Sequence, residues 1–364
     1  MNEVVVERFE KMKDGIPSLK EVARAANVSV PTASRILHRK KLDQFSEETK
    51  KRVQETAHKL QWRPNLLVHG MQTGRTCTIG VMVPPFHSYW SEILYGIHEG
   101  LIEADYIPII LWGKHWREDE HRHEAEDLEQ IHRLIDRRVE GFILWPPMVA
   151  PFYDHIEEMC NIPVVTIDHE LPPEYGADSV ATDEEMGAKL VASHLLGLGH
   201  RHFAHFAGSG NKIYSWAKLR SEYFQMEVSS VPGTTCVIGE QWQNAYDEGI
   251  SVAEKLLQME PRPTAIFMAS DERARCVYDA AARMGLKIPQ DLSVVGFADL
   301  VSAAGLQPRL TTVRQKPYET GVTAARLILE RLQKTYKEPH NHQRVRLGCE
   351  LVIRDSTAVP GNGG

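Results

Sequence analysis

Five of the 17 histidines come nearest to a metal-binding pattern in this chain. His121 and His123 form one His-x-His pair, and His200, His202 and His205 follow at similarly short intervals. Arginines interleave both groups, and no nearby cysteine or carboxylate completes a recognisable set of metal ligands. We therefore expect no metal site, and nothing in the sequence predicts a cofactor.

A short glycine-containing loop is the only candidate for nucleotide chemistry. Gly208-Ser-Gly210 follows a predicted strand and resembles part of a phosphate-binding loop. Neither Gly-x-Gly-x-x-Gly nor Gly-Lys-Ser/Thr follows it. We also find no Ser/His/Asp or paired-carboxylate arrangement with a recognisable local signature. The sequence therefore favours a protein that is not an enzyme.

Five tryptophans fall at or just beyond the ends of predicted strands, or in the loops that leave them. They are Trp90, Trp112, Trp145, Trp216 and Trp242. Any one of them could simply be a core residue, because Trp is large and often buried. Several aromatic side chains at one edge of a sheet, however, suit stacking on a sugar ring or another flat apolar face.

Two short helices separated by a tight turn are predicted near the N-terminus. Ser18 and Glu21 form a capping box for the first, and Ser29 is the N-cap of the second. Between them, Asn27 tolerates the left-handed conformation that a helix end needs. This is a helix-turn-helix pattern, in which the second helix enters the major groove of DNA. The alternative is an ordinary three-helix bundle, completed by a third helix that Ser46 caps.

The distribution of charge supports the DNA-binding alternative. Residues 1–75 contain 15 Lys and Arg against 9 Asp and Glu, a charge of +6. The whole chain contains 42 against 49, so the remainder has 27 against 40, a charge of −13. A basic head on an acidic body is expected when only the head contacts phosphates.

The remaining composition indicates a large intracellular protein. At 364 residues the chain exceeds one average domain, and its five cysteines have no paired spacing. The N-terminal residues contain no long apolar stretch, which argues against a signal peptide, and no run of about 18 apolar residues predicts a membrane span. We expect a cytoplasmic protein with no membrane partner.

From residue 78 onward, short apolar runs alternate with amphipathic helical patterns. The predicted strands are 79–83, 107–111, 141–145, 164–167, 203–206, 235–238, 265–268 and 293–296. The predicted helices include 90–104, 123–137, 184–198, 245–258 and 273–284. This alternation predicts parallel α/β sheets, and the strand number suits two lobes. A ligand would then bind in the cleft at the carboxyl ends of the strands.

The order and spacing of many short motifs resemble the LacI/GalR family of bacterial transcription regulators. In the head the matching residues are Ala23, Val28-Ser29, Thr32, Ser34-Arg35, Arg63-Pro64-Asn65 and Thr73-Gly74-Arg75-Thr76. Downstream they are Asp183, Gly187, Leu198-Gly-His-Arg201, Leu219-Arg220, Ser270-Asp271, Val294-Val-Gly-Phe297, Leu310-Thr-Thr-Val313 and Glu350-Leu-Val-Ile-Arg354. The resemblance covers residues 18–357.

The resemblance implies a lambda-repressor-like head with its hinge helix, and a two-lobed, periplasmic-binding-protein-like effector core. We expect an N-terminal extension (1–17), the DNA-binding domain (18–63), a hinge helix and linker (64–75), the core (76–357) and a tail (358–364). Lobe 1 would contain residues 76–182 and 314–343, and lobe 2 residues 183–313 and 344–357. The chain would cross between the lobes near 182–199, 311–314 and 343–345.

The resemblance also implies DNA-contacting residues. Val30 and Pro31 stand where the family selects bases, and Arg35 is a candidate for a bidentate contact with guanine. The hydroxyls of the second helix would instead contact phosphates, which fix register. A hinge helix would insert Met71 into the minor groove. The DNA-binding set is Ser29, Val30, Pro31, Thr32, Ser34, Arg35, Asn65, Val68 and Met71.

Effector-binding residues in the cleft follow from the same resemblance together with the tryptophan positions. Arg220 matches an arginine that grips the ligand, and Trp242 matches a stacking aromatic residue. The other candidates are Tyr89, Trp90, Trp112, Trp145, Trp216, Asp271 and Asp299.

This chain departs from the family pattern at several cleft positions. Ala298 stands where a sugar-binding Asp is common, Trp216 replaces a small residue, and Lys316 replaces an Asp. The pocket thus loses a carboxylate and gains a base, which favours an acidic or phosphorylated ligand over a neutral hexose.

Together these features predict a homodimeric transcription regulator, most simply a repressor, that binds double-stranded operator DNA and a small-molecule effector of sugar or sugar-acid type. The alternative is a solute-binding protein of ribose-binding type, which shares the two-lobed core. A signal peptide in place of residues 1–76 would have favoured that alternative.

Overall fold

The computed structural model describes residues 17–38, 41–63, 70, 74–84, 88–113, 120–145, 162–170, 177–207, 215–239, 246–333 and 341–361. The chain divides into two compact units, residues 1–76 and 77–364. The predicted extension (up to residue 16) and most of the predicted hinge lie outside the described residues.

In the residues that the structure describes, the first unit contains three α-helices and one short 3-10 turn. Helix α1 spans Leu19–Ala25, α2 spans Val30–Leu37, a 3-10 turn spans Leu42–Gln44, and α3 spans Glu47–Lys59. The predicted local signals are confirmed. Ser18 and Glu21 form both hydrogen bonds of a capping box, and Asn27 has a φ of 53° at the turn. Ser29 and Ser46 are the N-caps of α2 and α3.

A small apolar core holds these helices together. Val22, Ala33, Ile36 and Val53 are fully buried, one or more from each helix. The side chain of Arg52 adds a link, since its Nε donates to the carbonyl at the end of α1, at 3.1 Å. Because the apolar side of α2 faces inward, its opposite side is exposed.

The described part of the second unit contains two six-stranded sheets, each the centre of one lobe. The strands are β1 (Thr78–Val83), β2 (Ile107–Trp112), β3 (Gly141–Leu144), β4 (Val164–Ile167), β5 (Asp178–Thr182), β6 (His202–Phe206), β7 (Thr235–Ile238), β8 (Ala265–Met268), β9 (Ser293–Ala298), β10 (Thr311–Arg314), β11 (Arg344–Leu347) and β12 (Glu350–Val352). Lobe 1 has the order β11-β5-β4-β3-β1-β2, and lobe 2 has β12-β10-β9-β8-β6-β7.

Nearly all strand pairs are parallel, as predicted. The exception in the described chain is β12, which runs antiparallel to β10 at the edge of lobe 2. The eight apolar runs of the sequence all form strands. Four further strands, β5, β10, β11 and β12, were not predicted.

Helices surround both sheets. They are α4 (Ser88–Ile102), α5 (Glu120–Asp136), α6 (Glu184–Gly197), α7 (Ser215–Ser229), α8 (Tyr246–Leu257), α9 (Ala274–Arg283), α10 (Val301–Gly305) and α11 (Pro317–Gln333), with a 3-10 turn at Asp271–Arg273. In lobe 1, α11 packs along α4, and in lobe 2, α7 packs along α6.

The chain passes between the lobes at Asp183, at Gln315 and at Gly348, each of which lies between strands or helices of different lobes. The third position corrects the prediction that residues 344–357 belong to lobe 2. Strand β11 instead pairs in parallel with β5 and covers what would otherwise be an open edge of the lobe 1 sheet. The crossing to lobe 2 therefore follows β11.

The predicted tail also begins later than expected. The Ala358 N–H donates to Ser293 Oγ at 3.0 Å, and the Ala358 carbonyl lies 2.9 Å from His200 Nε2. Residue 358 is therefore part of lobe 2.

Candidate nucleic-acid interface and effector cleft

Helix α2 presents a mixed apolar and cationic surface at its exposed side. Val30 is 37% exposed, and Pro31 and Arg35 are also exposed. The Arg35 guanidinium has no hydrogen bond or ion pair with any residue that the structure describes. All of its N–H groups are therefore open to an external acceptor, and a guanidinium suits either the two acceptors of guanine or a phosphate.

The hydroxyl residues of α2 are partly used by the helix itself. Ser29 Oγ accepts from the Thr32 N–H at 3.2 Å, and the two hydroxyls lie 2.8 Å apart. Ser29 is exposed and Thr32 and Ser34 are half-buried. The predicted DNA contacts Asn65, Val68 and Met71 lie outside the described residues.

In lobe 1, three predicted aromatic residues form one cluster. Tyr89 and Trp90 begin α4, and their rings lie 5.5 Å apart in an edge-on arrangement. Trp90 in turn lies 5.5 Å from Trp145, which follows β3. All three are at most 8% exposed. Trp112, at the end of β2, packs against the same core from a half-buried position.

A hydrogen-bonded chain connects this cluster to two of the lobe crossings. Tyr89 donates its hydroxyl to Asp168 Oδ1 at 2.6 Å. Gln315, at the second crossing, donates to Tyr89 at 3.3 Å and to Thr182, which precedes the first crossing, at 2.8 Å. Burial and the neighbouring Asp168 raise the pKa of Tyr89, so its hydroxyl stays protonated.

In lobe 2, the predicted cleft arginine is already paired. Arg220 donates from Nε and Nη2 to the two carboxylate oxygens of Glu184, at 2.5 and 2.9 Å. Its Nη1 donates to the carbonyl of Ala269 at 2.7 Å. The guanidinium also lies 3.6 Å from the Phe297 ring centre and 4.6 Å from that of Trp216.

Both members of this ion pair are buried, with side-chain exposures of 5% and 7%. Burial raises the pKa of Glu184, and the attraction of Arg220 opposes that rise. Sequence reasoning identified Arg220 but missed Glu184, although Glu184 directly follows Asp183, which matches the family pattern. A carboxylate in the first turn of a helix resembles an ordinary dipole-compensating residue, which conceals this second role.

The Asp271 carboxylate also accepts hydrogen bonds from within lobe 2. It is 2% exposed, and it accepts from Thr312 Oγ1 at 2.6 Å and from the Leu300 N–H at 2.8 Å. Burial raises its pKa to about 6, although both hydrogen bonds act in the opposite direction. Asp271 thus links the segment after β8 to strand β10 and to the segment after β9.

Asp299 faces two arginines. It accepts from Arg314 Nε at 2.7 Å and from Arg354 Nη2 at 2.5 Å. Its carboxylate is therefore part of an ion network in lobe 2. Asp271 and Asp299 are both absent from the described lining of the interlobe cavity.

That cavity has a volume of about 110 Å³ between the described residues of the two lobes. Its described lining is Asp168, His169, Glu170, Ala181, Thr182, Asp183, Glu184, Glu185, Trp216, Leu219, Tyr223 and Arg346. Of the predicted effector residues, Trp216 lines it directly, while Arg220 lies behind Glu184 and Tyr89 contacts Asp168. Trp242 lies outside the described residues.

The three histidines near β6 have structural contacts. His200 lies 2.8 Å from Thr264 Oγ1, and His202 lies 3.0 Å from Thr235 Oγ1. His205 is fully buried against Phe267, at 4.7 Å between ring centres, and burial lowers its pKa to about 3. Among the residues that the structure describes, no group of three or more His, Cys, Asp or Glu could hold a metal ion.

Two family models match this chain. Residues 18–65 match the bacterial regulatory proteins of the lacI family, and residues 192–357 match the periplasmic binding protein-like domain. These ranges coincide with the helix-turn-helix unit and with much of the two-lobed unit described above.

Characterised relatives match along nearly the whole chain. Catabolite control protein A of Priestia megaterium is 29% identical over 340 residues, which cover 93% of this chain and 98% of the relative. The transcriptional repressor CytR of Escherichia coli K12 is 28% identical over 356 residues, which cover 96% and 99%. The chain thus combines a DNA-binding domain of lacI type with a periplasmic binding protein-like domain, and it is similar along nearly its whole length to these regulators.

Solved structures agree in fold. The lac repressor dimer bound to operator and the anti-inducer ONPF has a TM-score of 0.78 and 23% identity, covering 94% of this chain and 99% of that one. A LacI family regulator from Enterococcus faecium with bound ribose has a TM-score of 0.63 and 26% identity, covering 78% and 99%. Together with the lacI-type domain and the regulator relatives, this fold supports a DNA-binding transcription regulator.

In the described residues, no helix is both long enough and apolar enough to span a membrane.

Proposed function

We propose that this protein is a ligand-controlled repressor that binds a pseudo-palindromic operator as a homodimer. The single observation that supports this most directly is the exposed side of α2, where Arg35 has no partner in the described chain. The basic head, with a charge of +6, provides the attraction to phosphates. The lac repressor relative is itself a dimer on its operator.

In the proposed complex, the exposed side of α2 lies in the major groove. Val30 and Pro31 contact thymine methyl groups or read local shape, and Arg35 contacts guanine. Ser29, Thr32 and Ser34 fix the register on phosphates. Asn65, Val68 and Met71 form the hinge contacts, with Met71 inserted into the minor groove.

The proposed effector is a small polar metabolite of sugar type, bound between the lobes at the carboxyl ends of the strands. The ribose complex of the Enterococcus faecium regulator and the cellobiose complex of the regulator CelR are consistent with such a ligand. The ligand would change the angle between the lobes and so bias the pairing of the two hinge segments in the dimer.

The sequence-based preference for an acidic ligand loses its support. It depended on the carboxylate missing at Ala298 and on the base gained at Lys316, whose exposed side chain lies outside the described cavity lining.

The decisive experiment combines operator selection with a metabolite screen. Operator sequences are selected from random DNA, and affinity is then measured at several salt concentrations by fluorescence anisotropy. We expect a palindromic consensus, a steep decrease of affinity with salt, and release of the operator by at least one sugar-type metabolite. A protein that selects no consensus would contradict the proposal.

A further inference from the structure

The charge of the effector follows from the buried pair of Glu184 and Arg220, and this inference rests on the proposed function. The two side chains form a bidentate contact in which both carboxylate oxygens accept from the guanidinium. A ligand carboxylate or phosphate would need the same fork of N–H groups, because planar bidentate pairing is the strongest arrangement available to arginine.

Arg220 has little freedom to turn toward another anion. Its third nitrogen donates to the Ala269 carbonyl at 2.7 Å, and the faces of the guanidinium lie near Phe297 and Trp216. Moving Glu184 aside would leave a buried carboxylate without its partner, which is unfavourable in a low-dielectric site. The Glu184 carboxylate thus occupies the place on Arg220 that an anionic ligand would take.

The cavity in front of this pair is acidic. Its described lining contains five carboxylates, from Asp168, Glu170, Asp183, Glu184 and Glu185, and one arginine, Arg346. Adding Arg220, which pairs with Glu184, and Lys189, which pairs with Glu185 at 2.6 Å, gives five negative against three positive charges, or −2.

Among the residues that the structure describes, the cations beside the cavity are already engaged. Arg346 donates to both oxygens of Glu170, at 2.5 and 3.1 Å. The one imidazole in the lining, that of His169, has a pKa lowered by burial, so it adds no charge at neutral pH. Such a pocket repels anions and attracts cations.

We propose that Glu184 determines the charge class of the effector: the cleft takes a neutral or amine-bearing ligand and rejects carboxylates and phosphates. Hydroxyl or ammonium groups of the ligand donate to the acidic lining, while Trp216 offers an aromatic face for a sugar ring or a cation. Arg220 acts through Glu184 as a positioning residue.

The test uses Glu184→Ala, which removes the internal carboxylate and leaves Arg220 open. The probes are acetate and its uncharged analogue acetamide, at equal concentration and matched ionic strength, with melting temperature as the readout for the full-length protein. In Glu184→Ala, acetate should raise the melting temperature by at least about 3 °C more than acetamide. The wild-type protein should show no such difference.

The double variant Glu184→Ala/Arg220→Leu is the matched control, since it contains neither charge and should lose the acetate effect. Anions that bind the basic head would affect all three proteins equally. A folded Glu184→Ala variant that acetate does not favour over acetamide would overturn the proposal.

A second arm compares glucose, glucosamine and glucuronate on the wild-type protein. Glucuronate should never stabilise the protein more than glucose, and a larger shift with glucuronate would also overturn the proposal. Neither arm requires operator DNA, so a failure of the repressor function and a failure of this inference remain distinguishable.

Discussion

Gly96 of α4 and Gly321 of α11 face each other in close contact where the two helices cross in lobe 1. A Cβ added at Gly96 would lie 3.2 Å from the Gly321 Cα, and one added at Gly321 would lie 3.0 Å from the Gly96 Cα. The lobe 1 helices can pack at this distance only because neither residue has a side chain.

We therefore expect Gly96→Ala to separate the two helices and destabilise the protein by about 1–3 kcal/mol, the usual cost of overpacking. Gly197→Ala is the matched control, because a Cβ at Gly197 meets nothing within 4 Å. That change should be neutral or stabilise the protein by about 0.5–1 kcal/mol through helix propensity. Urea unfolding monitored by circular dichroism measures both. Equal effects of the two changes would contradict this account of the crossing.

Arg35 allows a test of base recognition that does not disturb the fold. Arg35→Ala should weaken operator binding by about 1–3 kcal/mol and relax the preference at one base pair. Arg35→Lys retains the charge but not the planar fork, so it should retain most non-specific affinity and still lose that preference. Binding to a set of operators with single base changes, alongside unchanged melting temperatures, gives the comparison. If Arg35→Lys keeps full specificity, the residue contacts phosphate instead.

Asp271 should make stability depend on pH in a definite direction. Its pKa is about 6 in the folded protein and near 3.8 when unfolded, so between these values the folded state binds the extra proton. Stability from this group therefore falls as pH rises from about 4 to 6, by on the order of 3 kcal/mol, and is level above that range.

Asp271→Asn removes this titration. The difference in unfolding free energy between the wild-type protein and the variant, measured from pH 4 to pH 7, isolates the contribution of Asp271 from that of other carboxylates. A difference that stays constant over that range would show that burial does not raise the pKa of Asp271.

Gln315 connects both crossing segments to lobe 1, because one amide nitrogen bonds Thr182 and Tyr89. Gln315→Leu keeps the volume but leaves two buried hydroxyls with one fewer partner, so we expect a loss of about 1–3 kcal/mol. The exposed Gln333→Leu is the control and should change stability little. Thermal unfolding compares the two variants. The operator affinity of Gln315→Leu without ligand should stay near wild type, whereas its response to an identified effector should change.

Local rules explain why so much of the fold was predictable from the sequence. The helices of the head begin where Ser18, Ser29 and Ser46 supply a cap, which depends on hydrogen bonds over three residues. The eight predicted strands are continuous apolar runs, as expected for strands buried on both faces. The exposed position of Arg35 follows from helical periodicity alone, since Ile36 and Ala33 face inward.

Strands β5 and β11 were not predicted because their place in the sheet depends on contacts with segments that are far away in the sequence. Strand β5 places Asp178 and Ser179 in the interior, and the Asp178 carboxylate accepts from the Gln343 N–H at 2.7 Å, a partner 165 residues away. Strand β11 alternates arginines with apolar residues at a sheet edge, a pattern that resembles an exposed loop.

The state of the cleft could be decided only by the tertiary structure. The sequence predicted Arg220 and Trp216 as cleft residues from a family position and a strand end; Trp216 lines the interlobe cavity, and Arg220 lies behind Glu184. Whether Arg220 is available depends on Glu184, 36 residues earlier, and the roles of Asp271 and Asp299 depend on Thr312 and Arg354. A charged side chain is defined by the partners that surround it in space, and those partners come from strands and helices that only the folded sheets bring together.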